Sequence, residues 1–313
     1  MAMNRVQFQK VLPLPKFIQR FGTEGQCAAA LKTARWPDGF HCPQCDGTQH
    51  SVLKNGSRKT FQCSYCSHQT SLTAGTLFQG TRLPLTTWFL ALYLISQAKT
   101  GLSILALMRQ LGVSYPTAWC IHHKLMQSMP EREALYTLHG AVQAGDAYLS
   151  GEKTGRGSEN KVFFVAAVSV DARGRPVYAQ FTAIKGFTSA AIEGWARSAL
   201  DKEFQVLTDG LPCFKRIADA GRSHAVIVAG SGKPRDLPQF WWVNTILGNL
   251  KTGLSGTYHA VKCRKYAQRY LSIITYRFNR RFNLATLPMS LLRAAVNIGP
   301  RPARWLRAAE SSC

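Results

Sequence analysis

Four cysteines in the first quarter of the chain are spaced like the ligands of one metal ion. Cys42-Pro-Gln-Cys45 is followed, after 17 residues, by Cys63-Ser-Tyr-Cys66. Each Cys-X-X-Cys turn points two thiolates at one centre, and two such turns complete the tetrahedron of a Zn²⁺ site. A redox role would need a Cys-X-X-Cys beside a βαβ pattern, which these turns lack. Because Cys42, Cys45, Cys63 and Cys66 leave no coordination position open, we expect a structural zinc that folds the segment rather than a catalytic one.

Two aspartates in the second half of the chain stand at the ends of predicted strands. Asp146 lies near the end of a period-two segment at 141–148, and Asp209 directly follows another at 204–208. Between them the pattern predicts two more strands and a helix, at 162–170, 177–183 and 189–200. This is the opening order of an RNase H-like fold, in which the first and fourth strands are neighbours and could present two carboxylates to one metal ion. Since Gly210 follows it, Asp209 is also consistent with an ordinary strand-ending turn.

Further along, the segment 241–251 is predicted to form a helix. Asn244 and Lys251 are seven residues apart, which is two helical turns, so both face the same way. Asn249 points elsewhere. Taken alone, Asn244 is equally consistent with a helix cap or a surface residue.

The segment 84–128 is predicted to be helical, with helices at 88–98, 103–111 and 114–126. Gly112-Val113-Ser114 supplies a turn between the last two, so the pair resembles a helix-turn-helix whose second helix could enter a DNA groove. On that second helix Tyr115, Thr117 and Lys124 occupy polar positions, and His122 and His123 are predicted to be exposed. Any three-helix bundle can contain such a glycine turn, which is the alternative interpretation.

The net charge of the chain indicates which class of molecule is its binding partner. Lys and Arg number 39 against 16 Asp and Glu, a formal net charge of +23, and 46% of the residues are apolar. A globular chain this basic favours nucleic acid over an acidic small molecule. Since the excess is spread along the chain rather than confined to one amphipathic helix, it does not favour a membrane surface. No apolar run approaches the length of a membrane span and no secretory signal is evident, so we expect a cytoplasmic, nucleoid-associated protein.

Taken together, these features resemble a family of bacterial insertion-sequence transposases, built from an N-terminal zinc ribbon, a helix-turn-helix and a DDE-type RNase H-like domain whose third acid is often Asn. The motifs that carry the resemblance are the two Cys-X-X-Cys turns and the segments 146–152, 156–161, 163–167, 207–210, 243–251, 256–259 and 276–281. It implies an α/β (α+β multidomain) fold. The implied parts are an N-terminal region at 1–80 with the ribbon at 42–66, a helix-turn-helix segment at 81–130, an RNase H-like transposase domain at 138–285 and a basic tail at 286–313.

The resemblance also implies an activity and a set of site residues. Proteins of this type cleave and transfer DNA strands at terminal inverted repeats, with Mg²⁺ or Mn²⁺, and act as homo-oligomers on double-stranded DNA. Asp146, Asp209 and Asn244 would hold the catalytic metal, and Lys251 would hold a phosphate of the terminal DNA. The residues predicted to contact DNA are Tyr115, Thr117, Lys124, Lys262, Arg264, Lys265, Arg280 and Arg281.

One departure from the family pattern concerns the first metal-binding acid. Proteins of this type usually have Asp-Asp or Asp-Glu where this chain has Gly145-Asp146. Because side chains alternate along a strand, Asp146 would point away from the site unless the strand bulges or ends there. Either Asp146 substitutes for the missing acid, or the chain is a DNA-binding protein without nuclease activity. A zinc-ribbon transcription factor, which would not require Asp209, is a third hypothesis.

Overall fold

The computed structural model describes residues 9–55, 58–149, 161–228, 237–258 and 264–308. Its helices are α1 Leu14–Phe21, α2 Glu24–Arg35, α3 Leu85–Gln97, α4 Ile104–Leu111, α5 Tyr115–Glu133, α6 Ser189–Ala199, α7 Arg216–Asp219, α8 Trp241–Thr257, α9 Ala267–Asn279, α10 Leu287–Val296 and α11 Ala303–Ala308. Its strands are β1 His50–Asn55, β2 Arg58–Cys63, β3 Gln69–Ser71, β4 Ala141–Leu149, β5 Val162–Val170, β6 Pro176–Ile184, β7 Gln205–Thr208 and β8 Ser223–Val226. Within these ranges no helix is long and apolar enough to cross a membrane.

The chain folds into two compact units, each assembled from separate stretches of sequence. One comprises residues up to 98 together with 104–128 and 282–306. The other comprises 99–103, 129–281 and the residues from 307 onward. The fold class predicted from the sequence, a zinc ribbon with helices and a mixed sheet-and-helix domain, is confirmed.

In the first unit, local capping determines where the helices begin. The Thr23 hydroxyl accepts a hydrogen bond from the Gln26 amide at 3.3 Å, and the Gln26 side chain accepts one from the Thr23 amide at 3.1 Å, which forms a capping box at the start of α2. The first turn of α3 is capped by Glu24, whose carboxylate accepts hydrogen bonds from the amides of Leu85 and Thr86. Helix α2 is therefore tied to α3 by charge-assisted hydrogen bonds.

The segment predicted as a basic tail contains an ordered helix. Helix α10 packs against α2 and α3, and its Leu291 and Leu292 side chains are fully buried. Burial of apolar surface thus draws this segment into the first unit, despite its arginines.

Helices are found at all three positions predicted for the helix-turn-helix segment. Gly112 has a φ of +64°, a left-handed conformation that favours glycine, at the turn between α4 and α5. The prediction that His122 and His123 are exposed is wrong. Both side chains are buried, and the His123 ring lies 4.3 Å from that of Trp119. The reason is that α5 is covered on several sides, so polar residue type alone does not indicate its solvent face.

The second unit is built on a five-stranded sheet of order β6-β5-β4-β7-β8. Strands β4, β5 and β6 are antiparallel, whereas β4, β7 and β8 are parallel. This is the RNase H-like arrangement, and β8 is the strand that the sequence pattern did not predict. Helices α6 and α7 cover one face through side chains such as Trp195 and Ile217, and α8 and α9 cover the other through side chains such as Val243 and Leu271.

Helix α9 also closes the free edge of this sheet. The Asn279 side-chain carbonyl accepts a hydrogen bond from the Ala179 amide at 2.8 Å, and its amide donates to the Ala179 carbonyl at 3.0 Å. About three helical turns earlier on α9, the Gln268 side chain accepts a hydrogen bond from the Ala183 amide and donates one to the Phe181 carbonyl of the same strand. The edge of β6 is thereby satisfied by side chains and is unavailable for pairing with another strand.

Candidate functional site

The four predicted zinc ligands come together in the first unit. The sulfur atoms of Cys42, Cys45, Cys63 and Cys66 all lie within 4.8 Å of one another. The Cys42–Cys66 and Cys45–Cys63 pairs are 3.5 Å apart. A tetrahedron with Zn–S bonds of about 2.3 Å separates its sulfurs by about 3.8 Å. Four thiolates in this arrangement fit a structural zinc ion.

Both Cys-X-X-Cys turns have the same backbone conformation. The Asp46 amide donates to the Cys42 carbonyl at 2.9 Å, and the Ser67 amide donates to the Cys63 carbonyl at 3.1 Å. Asp46 and Ser67, each directly after the second cysteine of its turn, have φ values of 58° and 60°. Non-glycine residues rarely adopt this conformation, so its repetition marks the two turns as matching halves of one metal site.

The environment of Cys63 favours the thiolate that zinc requires. Burial opposes ionisation, but the amides of Cys66 and Tyr65 outweigh it, and the pKa of Cys63 is lowered to about 7. Although the Gly47 amide favours its thiolate, hydrogen bonding to the neighbouring thiols raises the pKa of Cys45 to about 12. A bound metal ion would replace the proton that these thiols share.

The second candidate site is formed by the two predicted aspartates. Asp146 lies on β4, and Asp209 directly follows β7, which runs parallel to β4 with Thr208 opposite Ala144. The Asp146 and Asp209 carboxyl groups lie close enough for the charge of one to affect the ionisation of the other. Burial, followed by the negative charge of Asp146, raises the pKa of Asp209. The Oδ1 atom of Asp209 is buried and has no hydrogen-bond partner among the described residues.

The alternation along β4 separates Gly145 from Asp146, as predicted. Gly145 pairs with Ala166, which belongs to the core beneath α8 and α9, whereas Asp146 pairs with Val165, which belongs to the core beneath α6 and α7. The pairing of β4 with β5 is continuous from 141 to 149, so β4 neither bulges nor ends at Asp146. Instead β7 ends at Thr208. Asp209 is therefore free of strand alternation, and the two carboxyl groups can meet.

Asn244 and Lys251 both lie on α8, which begins at Trp241 as the pattern predicts. The helix ends at Thr257, beyond the predicted end at residue 251. Asn244 is half-buried, and its Nδ2 atom has no hydrogen-bond partner among the described residues. The preceding residue, Val243, faces Gly145 of β4. Lys251 is exposed. The unpartnered, buried carboxylate oxygen of Asp209 is a donor that suits a hard divalent cation, whereas Asn244 could bind one only through its Oδ1 oxygen and not through the unpartnered Nδ2.

The residues predicted to contact DNA are in varied environments. Tyr115 is exposed, while Thr117 is half-buried and its hydroxyl is 2.9 Å from that of Ser114. Lys124 donates a hydrogen bond to the Leu77 carbonyl at 3.2 Å, so its ammonium is directed into the fold. Lys265 is half-buried, with its ammonium 5.7 Å from the Tyr266 ring centroid. Lys262 and the side chain of Arg264 lie outside the described residues.

The guanidinium groups of Arg280 and Arg281 are engaged within the protein. Arg280 forms a 2.7 Å ion pair with the buried Glu133 and stacks 3.6 Å from the Tyr276 ring centroid. Arg281 donates to backbone carbonyls, including those of Phe278 at 2.9 Å and Val177 at 3.3 Å. Both guanidinium groups are therefore held against the protein, and a contact of either with DNA stays a prediction.

Two residues beside the carboxylates were not predicted from the sequence. The Tyr148 hydroxyl donates to Oδ2 of Asp146 at 3.0 Å. Thr208 Oγ1 lies 2.8 Å from Nε2 of His224 on β8, and burial lowers the pKa of this histidine. The strand period does place Tyr148 on the same face as Asp146, but only the fold brings His224 to Thr208.

Comparison with known proteins agrees with this arrangement. Residues 22–69 match the model of the transposase zinc-ribbon domain, and residues 137–279 match that of the ISXO2-like transposase domain. Both matched domains are transposase domains, and they occur in the order that the sequence motifs predict. The chain is similar to a protein described as an uncharacterized protein in transposable element ISH50 of Halobacterium salinarum, at 28% identity over 166 residues that cover 52% of this chain and 53% of the relative. The match thus spans about half the length of the curated relative.

Proposed function

We propose that this protein is the transposase of an insertion sequence. It binds the terminal inverted repeats of its element on double-stranded DNA and catalyses metal-dependent strand cleavage and strand transfer. The observation that carries this proposal is the proximity of Asp146, on β4, to Asp209, which directly follows the adjacent parallel strand β7 within the transposase domain. Two carboxylates at one edge of an RNase H-like sheet are suited to binding divalent metal ions for phosphoryl transfer.

The site residues would act on the metal and on the DNA in different ways. Asp209 and Asp146 would hold Mg²⁺ or Mn²⁺, which when bound activates the attacking oxygen and stabilises the leaving oxygen. Asn244 would contribute a neutral amide oxygen, which binds a divalent cation more weakly than the carboxylate of a Glu would. Lys251, exposed on the same helix, would hold a phosphate of the terminal DNA by charge alone.

The first unit would choose the DNA end. Its zinc ribbon presents a rigid surface, and Tyr115, at the start of α5, is exposed where a recognition helix would contact bases. The excess of positive charge supports binding to the phosphate backbone. Two ends must be held together for transposition, so we expect the protein to act as a homo-oligomer on DNA.

A strand-transfer assay tests the proposal. The protein would be incubated with a labelled DNA end, a supercoiled target and Mg²⁺ or Mn²⁺, and the joined product measured. We expect Asp209→Ala to abolish joining while end binding in a gel-shift assay is retained. Asp219→Ala is the matched control, because Asp219 is an exposed acid of the same unit that pairs only with Arg216 at 2.6 Å in the described structure. Equal activity of wild type and Asp209→Ala would refute the catalytic role.

A second candidate function is favoured by Gly145. A chain that lacks the first acid of its family could occupy inverted repeats without cleaving them. In that case wild type would bind DNA ends yet join none, and Gly145→Asp would restore joining. The same assay therefore separates an enzyme from a DNA-binding protein without nuclease activity.

A further inference from the structure

We propose that Tyr148 is a positioning residue that orients the Asp146 carboxylate for metal binding, and that this enables Asp146 to serve in place of the acid missing at Gly145. The inference rests on the proposed function, because it assigns a role at the same metal site. The feature that carries it is the hydrogen bond from the Tyr148 hydroxyl to Oδ2 of Asp146, at 3.0 Å.

The hydrogen bond follows from the pleat of β4. Asp146 and Tyr148 are two residues apart on one continuous strand, so their side chains emerge on the same face. An aspartate on a strand can rotate among several side-chain conformations. A hydroxyl that donates to one oxygen holds the carboxyl group in a single conformation, that in which it lies near Asp209. The donated hydrogen bond leaves lone pairs on both carboxylate oxygens for a cation.

The Tyr148 ring is itself fixed, which makes its hydroxyl a precise donor. It meets Phe163 and Phe187 edge to face, with ring centroids 5.9 and 6.0 Å apart, and these two phenylalanines contact each other at 5.5 Å. The Lys161 ammonium lies 5.3 Å from the Tyr148 ring centroid. Aromatic contacts of this geometry hold a ring whose side chain has few rotatable bonds.

A hydrogen bond of this kind is expected to affect metal affinity more than stability. Groups that hydrogen-bond to a ligating carboxylate orient it, and their loss typically weakens metal binding by about 10–100-fold. Replacement of Tyr148 by Phe keeps the ring and its packing and removes only the donor. In that variant the Asp146 carboxylate would lose its conformational freedom only when the metal binds, and this loss would weaken metal binding.

The test measures Mn²⁺ binding to the full chain loaded with zinc, from the electron paramagnetic resonance signal of free Mn²⁺. We expect Tyr148→Phe to raise the Kd for Mn²⁺ by about 10-fold. Tyr136→Phe is the matched control, since Tyr136 is an exposed tyrosine of the same unit whose hydroxyl contacts Arg132, and its Kd should equal that of wild type. In the strand-transfer assay the Tyr148→Phe defect should diminish as Mn²⁺ is raised, which a merely structural lesion would not do.

A double-mutant comparison shows whether Tyr148 acts through Asp146. In an Asp146→Asn background, Tyr148→Phe should have no further effect on the Kd. Two results would overturn the role of Tyr148 but leave the proposed function intact. One is a Kd for Tyr148→Phe within twofold of wild type, and the other is an undiminished effect of Tyr148→Phe in the Asp146→Asn background. If wild type binds Mn²⁺ no more tightly than Asp209→Ala, the metal site is absent and the proposed function fails with it.

Discussion

Gly145 of β4 faces Val243 of α8, and the space between them is large enough for a Cβ atom. A Cβ atom built on Gly145 would lie 3.9 Å from Val243 Cγ1, an ordinary van der Waals distance. Within 4 Å no other atom of the described residues approaches it, leaving aside its chain neighbours. Gly145 also has an ordinary strand pairing, opposite Ala166. The position where such transposases usually have their first acid can therefore accept a Cβ atom without repacking.

We accordingly expect Gly145→Asp to fold and to increase strand transfer. The new carboxylate would emerge on the face covered by α8, opposite that of Asp146, and is expected to bind the metal together with Asp209 and Asn244. Gly145→Ala is the control for the backbone, because it adds the Cβ without charge and should raise the free energy of unfolding by about 0.5–1 kcal/mol. The measurements are the joining rate at fixed Mg²⁺ and urea unfolding. A Gly145→Ala variant less stable than wild type would contradict the claim that a Cβ atom fits at this position.

The carboxyl pair should make stability depend on pH and on divalent metal. The pKa of Asp209 is raised by burial and by Asp146, so the folded protein binds this proton more tightly than the unfolded chain. Stability is then lost as pH rises from the unfolded value through the folded pKa, and the cost remains at neutral pH. Asp209→Asn should therefore unfold at a higher urea concentration than wild type at pH 7 without divalent metal.

Addition of Mn²⁺ should reverse that order. The cation would stabilise wild type by offsetting the repulsion between Asp146 and Asp209, whereas Asp209→Asn would gain little. Asp219→Asn, at an exposed ion pair with Arg216, should not be stabilised in either condition. If Asp209→Asn is less stable than wild type in metal-free buffer, the carboxyl groups do not repel as described.

Removal of zinc should unfold the ribbon. Since four thiolates would be brought together around one ion, zinc binding contributes directly to the folding of the two Cys-X-X-Cys turns. Cys63→Ser, or chelation of the wild type, should release one zinc ion per chain and change the fluorescence of Trp36, whose ring packs 5.0 Å from Phe40 and Phe61. Cys120→Ser, at a cysteine outside the cluster, should retain the metal. Zinc release is followed with a colorimetric chelator, and full retention by Cys63→Ser would contradict the assignment.

Arg280 should contribute to stability rather than to DNA affinity. Its partner Glu133 is buried and also accepts hydrogen bonds from Tyr178 and from Asn279 at 2.6 Å. Loss of the arginine leaves this carboxylate uncompensated, and breaking a buried ion pair costs about 3–5 kcal/mol. We expect Arg280→Ala to lower the free energy of unfolding by about that amount.

The salt dependence of end binding separates the two roles of Arg280. If its guanidinium is committed to Glu133, the slope of log affinity against log salt should be the same for Arg280→Ala and wild type, measured where both are folded. Lys251→Ala, which removes an exposed charge proposed to hold phosphate, should reduce that slope. A smaller slope for Arg280→Ala than for wild type would indicate that Arg280 contacts DNA.

Local signals were sufficient for the zinc ribbon, for helices α3, α4, α5, α6 and α8, and for most of the strands. Cys42 and Cys45 lie in one turn and Cys63 and Cys66 in another, so the ligand geometry depends on a few neighbouring residues. The strand from 162 to 170 was predicted with its observed bounds, because its apolar run ends at a polar turn beginning with Asp171. Short-range patterns of this kind are read directly from residue order.

What depended on tertiary structure was the direction in which polar side chains point. The polar side chains of His123 and Arg280 suggest contact with solvent or DNA. In the fold, however, His123 is buried and Arg280 forms an ion pair with Glu133. The meeting of Asp146 and Asp209 depends on the register between β4 and β7 and on the residue at which β7 ends. The sequence alone identified these two acids as candidates for one site. Only the fold decided that they lie close together, because strand pairing joins residues that are far apart in the chain.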